Sequence, residues 1–285
     1  MHSVSVLPNG SVFAFLHKSE EFPDSTYKYS LIGISLDKAG NLLNETLFHE
    51  TFESLPLNKS YVVAPPSDAN QFKVIINFMN LGRDGYLMGD LGERFLCSEP
   101  ETMIFLVDLE SMQVFASDTI KNLWVESAVD TSDVLYLSGS RSDKCRFDVN
   151  MGGVPTIMKY NFGDAVVIYE DHKFFPAKVV DISMSGQEIQ FAQIWRPSVV
   201  GVRRRGNDEI AENSDELWNH ERPTQYEDSV YTFNAVGEIS QNQEVRIEFL
   251  RINNFWSEGA TIQNDKALFF GKLGAREGYL TSDLN

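Results

Sequence analysis

Trp124-Val-Glu-Ser-Ala-Val-Asp-Thr-Ser-Asp-Val-Leu-Tyr-Leu-Ser-Gly139 and Trp256-Ser-Glu-Gly-Ala-Thr-Ile-Gln-Asn-Asp-Lys-Ala-Leu-Phe-Phe-Gly271 align without a gap. Trp124 falls on Trp256, Glu126 on Glu258, Ala128 on Ala260, Asp133 on Asp265 and Gly139 on Gly271. Each stretch reads as strand, polar turn, strand, because short β-branched and aromatic runs are interrupted by residues that tolerate positive φ. A hairpin repeated at a distance within one chain is the signature of a repeat architecture.

Working outward, weaker copies of this hairpin cover Val4 to Leu16, Tyr61 to Phe78 and Phe175 to Ile194. A second hairpin follows each first one. Leu31 to Leu36 runs through Asp37-Lys-Ala-Gly-Asn41 into Leu42-Leu43, and Ile104 to Val107 runs through Asp108 to Ser111 into Gln113 to Phe115. Ile157 to Tyr160 and Val230 to Phe233 continue likewise. Long helical periodicity is nearly absent. The chain therefore reads as all-β: a β-propeller of about five four-stranded antiparallel blades, the last incomplete, with β-sandwich domains as the alternative. The expected organisation is a single domain over 1–285, with blades at approximately 1–50, 51–120, 121–170, 171–249 and 250–285.

Val134 to Gly139, Lys159 to Gly163 and Leu36 to Asn41 carry the pattern of an apolar run closing on Asp-x-x-Gly-Asn or a variant of it. This pattern resembles the bacterial-type β-propeller repeats found in many surface and secreted proteins. The resemblance implies extracellular or cell-surface use, whereas the absence of a signal peptide points to the cytoplasm. Four full repeats plus one short of its outer strand predict either a fragment or a partner that closes the last blade.

The totals exclude some partners. The 285 residues hold 24 Lys and Arg against 41 Asp and Glu, so 24 − 41 gives −17. Such a surface repels nucleic acid and anionic membranes, and no stretch approaches the length of a membrane span. The expected partner is another protein or a glycan.

Candidate functional residues are few. Arg203, Arg204 and Arg205, with Trp218, lie in the longest expected loop, 196–227. Guanidinium groups there suit a carboxylate or phosphate, or simply pair with the acidic residues that follow. Cys97 and Cys145 fall in corresponding loops of adjacent repeats, as a disulfide or as two free thiols. Glu126, Asp130, Asp181 and Glu258 sit on expected inner strands, where carboxylates could act as general acid and base. Trp124 and Trp256 read as repeat core. His2, His17, His49, His172 and His220 are scattered, so no metal is expected, and no cofactor motif occurs. The leading expectation is a non-enzymatic protein- or glycan-binding scaffold; the alternatives are a carbohydrate-active hydrolase or lyase and a subunit of a larger assembly.

Overall fold

The computed structural model describes residues 4–7, 10–23, 27–51, 57–63, 70–79, 86–88, 94–96, 100–131, 134–142, 152–174, 176–195, 233–250, 255–273 and 276–283. Among them every regular element is a strand, and no helix is long and apolar enough to cross a membrane. The first sheet is β1 (Val4–Val6), β2 (Val12–Glu21), β3 (Tyr27–Leu36) and β4 (Leu42–Thr51), paired in that order. The second comprises β5 (Leu57–Val63), β6 (Gln71–Met79), β9 (Pro100–Asp108) and β10 (Val114–Lys121). Between its middle strands, β7 (Tyr86–Met88) pairs with β8 (Arg94–Leu96). The segment between β6 and β9 thus holds a short hairpin of its own.

The third sheet is β11 (Leu123–Asp130), β12 (Leu135–Arg141), β13 (Val154–Asn161) and β14 (Asp164–Glu170). The fourth is β15 (Ala177–Ser185), β16 (Glu188–Trp195), β17 (Phe233–Ile239) and β18 (Val245–Leu250). The fifth has three strands, β19 (Phe255–Gln263), β20 (Lys266–Leu273) and β21 (Arg276–Asp283). All the described pairings are antiparallel.

Turn chemistry fixes these hairpins. Asp37 Oδ1 accepts hydrogen bonds from the amides of Ala39 and Asn41, both at 2.8 Å, and Gly40 takes φ +85°. Asp108 Oδ1 accepts from the Ser111 amide at 2.6 Å and its hydroxyl at 2.7 Å. Donors that favour the ionised form hold both carboxyls below their ordinary value, led by the Asn41 side chain for Asp37 and the Ser111 amide for Asp108. The Asp37 stretch is thus a closed turn.

The chain forms two compact units. One holds Met1–Leu137, Arg141–Asp148 and Met158–Val167; the other holds Ser138–Ser140, Val149–Ile157 and Ile168–Asn285. In the first, β6 is buried on both faces. Phe72, Val74 and Ile76 join Phe13, Phe15, Phe48 and Phe105 in one cluster. The alternate residue Ile75 joins Ile104, Leu123, Val125, Leu135 and Leu137 in another. Edge-on ring contacts, Phe13 to Phe72 at 5.3 Å and Phe48 to Phe105 at 5.1 Å, lock the first and second sheets together. In the second unit, Ala192, Ile194 and Val236 of the fourth sheet meet Ala267 and Phe269 of the fifth. On the opposite face of the fourth sheet Phe191 packs tilted against Tyr169 at 5.0 Å and Trp195 meets Phe174 edge-on at 5.6 Å.

Third-strand glycines make room for the phenylalanines of second strands. A Cβ at Gly237 would lie 2.2 Å from the Phe191 ring, and one at Gly33 would lie 2.4 Å from that of Phe13. Gly237→Ala is therefore expected to cost about 1–3 kcal/mol through overpacking, lowering the urea midpoint at constant slope. An unchanged midpoint would contradict this packing.

Candidate functional site

Polar side chains brace the sheets to one another from inside. Lys73, Ile75 and Asn77 alternate along β6 and share the face turned to the third sheet. Asn77 Nδ2 donates to the Val125 carbonyl at 2.8 Å, while its Oδ1 accepts from the Val125 amide at 2.9 Å. The amide thus reproduces one rung of a β-ladder across two sheets. The Thr102 hydroxyl, on the strand next to Asn77, lies 2.8 Å from Asn77 Oδ1 and 2.7 Å from the Leu123 carbonyl, and its one proton serves either. Asn77 and Thr102 are fully buried.

At the other end of this face, Lys73 Nζ meets Asp130 Oδ2 at 2.5 Å. The Asp130 side chain is only 3 % exposed. Its Oδ1 is buried, with no hydrogen-bond partner among the described residues. Next to these braces, the Tyr160 hydroxyl donates to Asp118 Oδ2 at 2.9 Å.

The second unit repeats the device with different residues. Asp181 Oδ1 accepts from the Ile182 amide at 3.0 Å, and its Oδ2 accepts from the Ile262 amide of β19 at 2.8 Å. The Ser257 hydroxyl donates to Asn234 Oδ1, joining β19 to β17. Tyr169 donates to Gln193 Oε1 at 2.9 Å.

The carboxylates expected on inner strands therefore divide. Asp130 and Asp181 are engaged in braces. Glu258 is exposed and is the extra residue of a β-bulge between Ser257 and Gly259, a feature that re-aims a side chain. Glu126 is half-buried on β11. Trp124 is 2 % exposed and belongs to the interior; the Trp256 side chain lies outside the description. Arg203, Arg204, Arg205, Trp218, Cys97 and Cys145 lie outside the described residues. Among the described residues no group of three or more His, Cys, Asp or Glu is placed to hold a metal.

Sequence reasoning missed the braces Asn77, Thr102, Lys73 and Asn234. The available signal was a polar residue inside an otherwise apolar strand, as in Phe72-Lys-Val-Ile-Ile-Asn-Phe78.

Comparison with known proteins gives a fold and no family. No protein-family model matches the chain, and no curated protein matches it. Among solved structures, ulvan lyase, a polysaccharide lyase bound to -[GlcA(1-4)Rha3S]-, aligns over 99 % of this chain and 63 % of its own, at 12 % identity and TM-score 0.51. Cobalt-substituted apocarotenoid oxygenase from Synechocystis aligns over 99 % of this chain and 57 % of its own, at 8 % identity and TM-score 0.46. Drosophila semaphorin 1b aligns over 94 % and 51 %, at 11 % identity and TM-score 0.40. The chain spans between half and two thirds of the length of these structures. The likeness to the lyase places the chain with the β-propeller-type folds: all-β, built of small antiparallel sheets.

Removing a brace strands its backbone partners. Asn77→Leu is expected to cost about 1–3 kcal/mol for each Val125 group left buried and unpaired, read by urea unfolding. A neutral effect would show that the latch contributes nothing. The tyrosines predict the alkaline limit of the fold. Burial, with the Asp118 hydrogen bond second, raises the Tyr160 hydroxyl well above the ordinary tyrosine value; burial, with nearby Asp171 second, does the same for Tyr169. A raised folded value stabilises the fold fully below about pH 10, the unfolded value, and the gain is lost as pH rises beyond it. Replacing both by Phe is expected to flatten the fall of stability above about pH 10. An unaltered pH profile would contradict the assignment.

Proposed function

We propose that this chain is a non-enzymatic, propeller-type recognition module: its sheets are blades of one ring, related to the bacterial-type repeats, and it presents turns and insertion loops to a protein or glycan. The observation that carries this reading is the engagement of the buried inner-strand carboxylates. Asp130 is held by an ammonium group, and Asp181 accepts amides from two strands. A general acid or base must reach the proton it transfers, and a carboxylate 3 % exposed in a sheet interface does not. A rigid strand scaffold with function in its loops is the usual division of labour. With a net charge of −17, the partner is neutral or basic on the surface it offers.

A second reading is a carbohydrate-active hydrolase or lyase. It is favoured by Glu258, an exposed carboxylate on a bulge, and by a fold similar to that of ulvan lyase. The two readings separate in one assay. The protein is incubated with a uronate-containing polysaccharide, and both retention on the immobilised polymer and unsaturated product are followed. The binding reading predicts no product with the wild-type protein or with Glu258→Gln. Product that forms with the wild type and is abolished in Glu258→Gln would overturn it.

A further inference from the structure

Two outer strands carry the same irregularity at the same place. In β4, Leu42 pairs with Leu36 and Asn44 with Ser35, so Leu43 is the extra residue of a β-bulge. In β10, Val114 pairs with Val107 and Ala116 with Leu106, so Phe115 is the extra residue. Each bulge falls on the second residue of its strand, just after the turn that enters it. The outer strand of the fourth sheet differs: β18 pairs with β17 from Val245 to Leu250 without a shift. The bulge is therefore a feature of the first and second sheets, and the turn into an outer strand does not demand it.

Both bulges present a large apolar side chain to solvent. Leu43 is 53 % exposed and Phe115 56 %. The second sheet buries one face against the first sheet and the other against the third, and Phe115 stays exposed with both of these seams closed. The two strands are tied together close by. The Thr46 hydroxyl donates to the Met112 carbonyl at 2.8 Å, three residues after Leu43 and three before Phe115. The surroundings are acidic. Residues 37–46 and 107–118 hold Asp37, Glu45, Asp108, Glu110 and Asp118 against Lys38 alone, so 1 − 5 gives −4.

We propose that Leu43 and Phe115 form a docking ridge for a basic amphipathic helix of a protein partner, whose apolar side chains at i and i+7 sit on the two bulges and whose Lys or Arg residues face the acidic turns. The spacing suits a helix. Equivalent positions on face-packed sheets lie about 10 Å apart, and residues i and i+7 of an α-helix share a face about 10.5 Å apart. A partner strand suits the ridge less, because a bulge interrupts the sheet edge on which a strand would add. The same carboxylates that draw a basic helix repel an anionic membrane. This inference rests on the recognition reading and deepens it by naming the partner class. Its failure is separable, since it is tested with a peptide and by substitutions on two outer strands, not with a polysaccharide.

The probe is a fluorescently labelled synthetic helix of about 18 residues, with leucine along one face and lysine elsewhere, titrated with the full chain and followed by anisotropy. A peptide of the same composition in scrambled order is the control. The expected result is binding of the amphipathic peptide about tenfold or more tighter than of the scrambled one, weakening in high salt. Leu43→Ser and Phe115→Ser are each expected to weaken binding about tenfold, through the lost apolar contact. Val245→Ser, at an exposed position of the unbulged β18, is expected to leave it unchanged. Circular dichroism confirms that each variant is folded, and two substitutions on separate strands guard against one that is not. Absence of binding would overturn the proposal. So would equal binding of the scrambled peptide, or binding that survives both serine substitutions.

Discussion

Burial of both faces of a sheet is the constraint on which the rest of this structure depends. A strand open to water on one side alternates apolar and polar residues, but β6 reads Phe72-Lys-Val-Ile-Ile-Asn-Phe78, with apolar residues on both sides. Phe72, Val74 and Ile76 serve one interface, and Ile75 serves the next. The outer strands show the contrast. β10 has mostly exposed and half-buried residues and β18 has the same pattern, since each has no neighbour beyond it within its sheet. Hydrophobic burial in such a chain is divided among several thin interfaces rather than gathered in one core.

Thin interfaces are weakly specified by shape, because apolar strands slide over one another at little cost. The polar braces supply the missing register. Asn77 both accepts from and donates to the backbone of one residue across the sheets, Val125. Asp181 selects the Ile262 amide, and Ser257 selects Asn234. Glycines under phenylalanine rings do the same by exclusion, since only their absent Cβ lets the ring lie flat against the neighbouring strand. Each device is local, and each relates two particular residues from different strands.

The strand content and the hairpins were legible in the sequence because they depend on local chemistry. The match of Trp124–Gly139 with Trp256–Gly271 is gapless, and both segments fold as first-strand hairpins, β11–β12 and β19–β20. Asp37 and Asp108 announce their turns because their carboxylates bond amides only a few residues on. The braces were not legible. Asn77 and Val125 are 48 residues apart, and nothing local tells an inward-facing Asn from one that faces solvent. For the same reason Asp130 and Asp181 read as general acid and base candidates, although one oxygen of each is engaged between strands. The β7–β8 hairpin was missed because its three-residue strands give too short an alternation to recognise.

Hydrogen exchange followed residue by residue through the strands tests the double-faced burial most directly. Amides of β6 and β9, hydrogen-bonded on both edges and covered on both faces, are predicted to exchange only by global unfolding. Those of β10 and β18 are predicted to open locally and far sooner. Equal protection of β6 and β10, or early exchange in β6 around Ile75, would contradict the account.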